Sequence, residues 1–289
     1  MKKLISTIVL ASLFACKTEK MEESTKETVT ITGLEKVWET DSLLVTPESV
    51  IFDEKRNFLY VSCIGNVPPE AKDGDGYIAK VSPDGKVLVK MWVKGLNGPK
   101  GMGIFQDRLF VTDIDKIVEI DLESGKISGE YPLEGSIFLN DISIDENGVV
   151  YASDSYANRI AKLENGKIEI WYQNDSLGNP NGLLALGGKL YMITFGSGEF
   201  VVFDLKTKDF KKLTSGIAEG DGLIKTGNQW IVSGWGGSVH LINENLEKVE
   251  VLNTREEKIN AADIWLVEKE RLLLVPNFFA NKVTAYKLK

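Results

Sequence analysis

Six residues stand at nearly even intervals along this chain, and four of them carry a side-chain oxygen. They are Glu48, Lys100, Asn140, Asn181, Asp221 and Ala262, separated by 52, 40, 41, 40 and 41 residues. Two carboxylates and two carboxamides brought to a common centre would make an oxygen-only donor set. Such a set suits a hard divalent cation, Ca²⁺ first, with Mg²⁺, Mn²⁺ or Zn²⁺ as further candidates. Asparagine at a strand start is also ordinary turn chemistry, so the weight lies on the common register and not on any one residue. Other chemistries have less to draw on. The single histidine, His240, lies on the strand-like segment GSVHLINE and is expected to be structural, which leaves no Ser-His-Asp triad. The two cysteines, Cys16 and Cys63, can build neither a disulfide framework nor a thiolate zinc cluster, and Cys63 inside FLYVSCI is expected to pack in a core.

What must position these residues is a repeated unit. Each marker opens a phrase of alternating apolar residues, a tight turn and a second apolar run: Glu48-SVIFDEKRNFLYVS, Lys100-GMGIFQDRLFVTD, Asn140-DISIDENGVVYASD, Asn181-GLLALGGKLYMITF, Asp221-GLIKTGNQWIVSGW and Ala262-DIWLVEKERLLLV. The intervals hold two further short strands, such as RIAKLENGKIEIWY and EFVVFDLKTKDFKKL, joined by hairpin turns. The period of two excludes helices. Four strands per repeat, six times, predicts an all-β six-bladed β-propeller over residues 29–289, with four antiparallel strands per blade. The sixth repeat is one strand short before the C-terminus. Residues 31–41 (ITGLEKVWETD) are expected to supply that strand, closing the last blade and removing a free sheet edge.

In such a ring the innermost strands line a channel, so the six markers converge on one mouth. The loops between second and third strands return to that face. Tyr156, Phe195, Trp235 and Phe278 on these loops would form an apolar rim for a ring-shaped ligand, and residues 65–76 (GNVPPEAKDGDG) would form a lid. The DGDG of that loop lacks the twelve-residue calcium-loop pattern and reads as a flexible turn. Lys100 could bind a substrate carboxylate or an oxyanion, could oppose the cation, or could pack its stem in the channel with its head in water.

With 43% hydrophobic and 26% charged residues the chain has a globular composition, and its net charge of −8 without a basic cluster argues against nucleic-acid partners. Lys2 and Lys3 precede an apolar run, Leu4 to Ala15, that is too short to span a bilayer and reads as a signal peptide over residues 1–15. The run ends in Leu13-Phe14-Ala15-Cys16, which resembles a bacterial lipobox. It implies cleavage before Cys16, lipidation of that cysteine, and a polar tether over 16–28. A monomer in the bacterial cell envelope, periplasmic or surface-exposed and held to the membrane only by lipid, is the expectation.

Residues 31–289 resemble the gluconolactonase and regucalcin family of six-bladed propellers, on Pro47-Glu48, Asn140-Asp141, Pro180-Asn181-Gly182 and Asp221-Gly222-Leu223. The resemblance implies a divalent metal held by Glu48, Asn140, Asn181 and Asp221, acting as Lewis acid on a lactone or related ester. It also implies Asp221 as general base and Asp141 as a substrate-contacting or supporting residue. Where sugar-lactonases of this type carry a sugar-holding arginine, this chain has Phe138, which speaks against gluconolactone. Two other readings stand beside it. One is a non-catalytic metal- or ligand-binding propeller; the other, weaker, is a quinone-dependent sugar dehydrogenase, which would want a histidine and basic residues at the mouth.

Overall fold

The computed structural model describes residues 31–289. The expected signal peptide, Cys16 and the tether lie outside the described residues. Six four-stranded antiparallel sheets follow one another round a ring. After β1 (Leu34–Glu39), blade one is β2 (Pro47–Asp53), β3 (Phe58–Cys63), β4 (Gly76–Val81) and β5 (Val87–Leu96). Blade two is β6 (Pro99–Phe105), β7 (Arg108–Asp113), β8 (Lys116–Asp121) and β9 (Ile127–Pro132). Blade three is β10 (Leu139–Ile144), β11 (Val150–Asp154), β12 (Arg159–Glu164) and β13 (Lys167–Gln173). Blade four is β14 (Pro180–Leu186), β15 (Lys189–Thr194), β16 (Glu199–Asp204) and β17 (Phe210–Ser215). Blade five is β18 (Gly220–Thr226), β19 (Gln229–Gly234), β20 (Ser238–Ile242) and β21 (Lys248–Asn253). Blade six is β22 (Trp265–Val267), β23 (Leu272–Asn277) and β24 (Lys282–Leu288), completed by β1.

The closure follows the sequence expectation. β1 pairs antiparallel with β24 from Leu34 opposite Leu288 to Glu39 opposite Thr284. The bonds Thr32 N to Lys289 O, 2.8 Å, and Lys289 N to Gly33 O, 3.0 Å, extend the ladder to the chain end. β24 is thereby paired on both sides, and blade six has four strands like the other five.

The inner strands are apolar on both faces because each sheet is sandwiched between two neighbours. Along β3, Leu59, Val61 and Cys63 pack against blade six, while the intervening Tyr60 packs against blade two. Along β7, Leu109 and Val111 face blade one and Phe110 faces blade three. The same alternation runs round the ring, so the hydrophobic core is six clusters, one at each blade interface. Cys63 belongs to one of them, and burial pushes its thiol up to about 12. The fourth strands carry the solvent-facing surface, where Met91, Phe210 and Val249 are exposed.

A candidate metal centre at the propeller mouth

Five of the six innermost strands share one irregularity, and it falls on their marker residues. In β10, Leu139 pairs with Asp154 and Ile142 with Ala152, so Asn140 and Asp141 oppose the single residue Ser153. The same two-against-one step occurs at Lys100-Gly101 opposite Thr112, Asn181-Gly182 opposite Ile193, and Asp221-Gly222 opposite Ser233. In blade one Glu48 is the extra residue between the pairs Pro47–Cys63 and Ser49–Ser62. A bulge of this kind leaves one residue unpaired and re-aims its side chain. Here it releases each marker from the ladder at the channel mouth.

Hydroxyls on the second strands fill the gaps that the bulges open. Ser62 Oγ accepts from Ser49 N at 3.0 Å, Ser153 Oγ from Asp141 N at 2.9 Å, and Ser233 Oγ from Gly222 N at 2.8 Å. Ser233 Oγ also donates to Ala262 O of the next blade at 2.8 Å, and Thr112 Oγ1 donates likewise to Asn140 O. Glycine after the marker lets neighbouring bulges touch. A Cβ at Gly182 would fall 1.9 Å from Asp221 O, and one at Gly101 would fall 2.5 Å from Asp141 Cα.

Glu48, Lys100, Asn140, Asn181 and Asp221 all line one cavity of about 780 Å³ at the mouth; Ala262, the sixth marker, is buried beside it. Glu48 Oε2, Asn181 Oδ1 and Asp221 Oδ1 are buried and have no hydrogen-bond partner. Asn140 Nδ2 donates to Ser155 Oγ at 3.3 Å, which leaves its amide oxygen available. Buried oxygens are ordinarily satisfied, so three orphans on one set of residues require an explanation. Among the described residues no three His, Cys, Asp or Glu side chains form a metal-binding group. A cation here would therefore depend on the two carboxamides as well as on the two carboxylates.

The electrostatics point the same way. Burial, then the charge of Asp263, pushes Glu48 up to about 8, with Lys100 partly opposing. Burial and the charges of Glu48, Asp263 and Asp141 hold Asp221 well above the carboxylate range. Asp263 itself is pushed up to about 7 by burial. The charges of Glu48, Asp263 and Asp141 all bear on Asp221, and a divalent cation at Glu48 and Asp221 would favour their ionised forms. Oxygen donors, orphaned lone pairs and mutual repulsion all fit a hard cation.

The remaining expected residues divide. Tyr156, Phe195, Trp235 and Phe278 all line the cavity, but Phe278 is only 4% exposed and forms inner wall instead of rim; Phe279 beside it is 57% exposed. Val67, Pro68 and Pro69 of the expected lid also line it. Asp141 lies behind the cavity: its carboxylate accepts from Ile142 N at 2.7 Å and Leu183 N at 2.6 Å, which makes it a support for the third and fourth blades. Lys100 departs from the picture of a solvated head. It is 1% exposed, and its ammonium donates to Gly98 O at 3.0 Å and Pro69 O at 3.2 Å, with the Phe138 ring at 4.4 Å. Burial pulls it down to about 8 despite the acids nearby. His240 is not among the lining residues; its Nε2 lies 3.2 Å from Ser238 Oγ.

Two site residues, Asp263 and Asn179, escaped the sequence reading. Asp263 stands next to Ala262 just as Asp141 stands next to Asn140, so the register could have found it. Asn179 and Phe138 reach the cavity from connections between a fourth strand and the next first strand, which return to the mouth as well.

No family model and no curated protein matches the chain. Among solved structures, a catalytically inactive histidine-to-alanine variant of virginiamycin B lyase from Staphylococcus aureus, determined with quinupristin, is 14% identical. The match covers 89% of this chain and 99% of that one, with a TM-score of 0.63. A streptogramin B lyase structure matches over 89% and 97% at the same identity and TM-score. A chain of a nidogen/laminin complex is 18% identical over 75% of this chain and 83% of its own, with a TM-score of 0.62. At these identities the likeness is one of fold: an all-β propeller on which a lyase and a component of a nidogen/laminin complex are both built.

Proposed function

We propose that the protein is a divalent-metal-dependent hydrolase of lactones or related esters, with its reaction centre at the propeller mouth. The observation that carries this reading is the set of orphaned, buried oxygens on Glu48, Asn181 and Asp221 in one cavity with Asn140. These four residues would hold the cation, Ca²⁺ by preference for an all-oxygen set. When bound, it would supply Lewis acidity toward a carbonyl oxygen.

The chain's own residues do the rest. Asn140 is oriented by Ser155, whose hydroxyl donates to Pro180 O at 2.6 Å and so links blades three and four beneath the site. Asp221 lines the cavity and would be the carboxylate that takes a proton from an attacking water. Lys100 stiffens the wall by joining Pro69 to the second blade. The aromatic walls exclude solvent around the reacting group.

The gluconolactonase and regucalcin resemblance supports the assignment on the matching types and order of the four residues. The virginiamycin and streptogramin B lyases offer a different chemistry on a similar fold. The variant named above loses activity with a histidine, whereas the one histidine of this chain lies outside the cavity, which favours the hydrolase reading. Attachment to a bacterial envelope through Cys16 belongs to the same proposal and rests on the sequence alone.

A panel of lactones and aryl esters assayed with Ca²⁺, Mn²⁺ or Zn²⁺, against Asp221→Ala, tests it. Turnover that needs both cation and Asp221 is expected. Equal rates for the two proteins would leave a non-catalytic binding propeller.

A further inference from the structure

We propose that the cleft selects lactones or esters carrying an apolar alkyl or aryl substituent, and discriminates against polyhydroxylated sugar lactones. The reaction invoked rests on the hydrolase reading above; the substrate class rests on the walls of the cavity.

Polar and apolar groups are segregated in depth. The carboxylates of Glu48 and Asp221 and the carboxamides of Asn140 and Asn181 sit on the floor, on the first strands, while the walls come from the mouth-face connections and are mainly aromatic or aliphatic. One wall is the stack of Phe138 on Tyr156, with ring centroids 4.2 Å apart and planes at 17°. Another is the cluster of Trp235, Phe278 and Phe279, in edge-to-face contact at 4.9 to 5.8 Å.

Most of the donors set among these walls are already engaged. Lys100 spends its ammonium on two carbonyls, Ser155 spends its hydroxyl on Pro180 O, and Asn179 spends its amide nitrogen on Ser155 O at 3.1 Å. A sugar lactone would bring several hydroxyls into a space with few free partners for them, and each unpaired hydroxyl weakens binding. Phe138, stacked on Tyr156, offers a hydroxyl no partner either. An alkyl or aryl group meets the opposite situation.

The apolar lining does not stop at the cavity. Val67, Ile137, Tyr156, Phe195 and Phe279 are each at least 36% exposed, on separate mouth-face connections. A substituent too long for the cavity would still find apolar surface around its opening.

The test uses the cation-loaded protein with δ-valerolactone, a 6-alkyl series from ethyl to heptyl, a 6-phenyl lactone and glucono-δ-lactone. The expected result is that kcat/KM climbs roughly two- to fourfold per added methylene, with glucono-δ-lactone below unsubstituted δ-valerolactone. Tyr156→Ser and Phe279→Ser, both at exposed positions, should flatten the climb. A flat series, or glucono-δ-lactone turned over as well as the heptyl compound, overturns the proposal. The matching 6-alkyl lactams, which measure binding without turnover, are titrated by quenching of tryptophan fluorescence alongside a polyhydroxylated lactam. If no lactone is hydrolysed but lactam affinity rises with chain length, the hydrolase reading falls and the substrate-class assignment stands. If lactam affinity is flat, or the polyhydroxylated lactam binds as tightly, the assignment falls whatever the turnover.

Discussion

Ser49 Oγ donates a 2.5 Å hydrogen bond to Asp263 Oδ2, joining the residue after Glu48 to the residue after Ala262 across the seam where the ring closes. Asp263 N also donates to Glu48 O at 3.0 Å, so the seam and the candidate metal centre share their backbone. The carboxylate of Asp263 therefore sits fixed near Glu48 and adds to the charge that a cation would neutralise. Asp263→Asn should lower Ca²⁺ or Mn²⁺ affinity about three- to tenfold, the scale of one neighbouring charge partly screened. It should also raise the melting temperature of the cation-free protein. Isothermal titration and thermal melts check both; unchanged affinity would mean that Asp263 serves the seam alone.

Removing a cation ligand should separate stability from binding. Asp221→Asn eliminates one of four mutually repelling buried acids, so the cation-free variant should be more stable than wild type by about 1 kcal/mol. The wild-type protein should gain about 2.7 kcal/mol at a cation concentration one hundred times its Kd, and the variant far less at that same concentration. Paired melts with EDTA and with Ca²⁺ distinguish these outcomes.

The raised acids give the cation-free protein a definite pH dependence. Glu48 moves from 4.5 to about 8 and Asp263 from 3.8 to about 7 on folding. In that interval the unfolded chain has already released the protons that the folded chain retains. The stability linked to these groups is complete below about 4 and is lost as pH rises toward 8. The melting temperature in EDTA should thus fall between pH 5 and pH 8. Saturating cation, which requires the ionised forms, should remove the fall or reverse it. A melting temperature that rises with pH in EDTA would contradict the burial of these carboxyls.

Lys100 is a buried positive charge beside Glu48, held by Gly98 O and Pro69 O. Lys100→Met keeps the stem and removes the charge. Cation affinity should rise about five- to tenfold, while amide exchange near residues 66–72 should accelerate because the tie to Pro69 is gone. Affinity that falls instead would show the ammonium organising the site and not opposing it.

Deleting residues 29–41 removes β1 and leaves β24 as an open edge of a three-stranded blade. It also strips Ile31 and Leu34 from the cluster between blades five and six. Cooperative melting should be lost. An unchanged melting curve would show that the ring holds without its seam.

The architecture was legible in the sequence because period-two alternation, hairpin turns and a repeat near forty residues all point to one fold. The five polar markers were legible because they share a register at strand starts. The device that frees them from the ladder was written less plainly. The bulges of blades one, two, three and five are marked only by a serine or threonine near the end of the following strand, at Ser62, Thr112, Ser153 and Ser233. These hydroxyls read as ordinary strand polarity until the gap they fill is seen. The burial of the Lys100 head was not legible either, because its partners are carbonyl oxygens of residues 69 and 98, which no side-chain pattern announces. Asn179 was missed for a topological reason: strands that run alternately up and down bring two sets of connections to the mouth, not one.

The direction of β1 has a geometric consequence for how the molecule stands. Glu39 lies at the level where β24 begins, close to the mouth, and Leu34 lies where β24 ends, on the far side of the disc. Ile31, whose backbone N–H donates to Gln229 at the start of β19, lies on that far side too. The cleft opens on the other face, so the start of β1 and the reaction centre proposed at the mouth are separated by the full length of that strand.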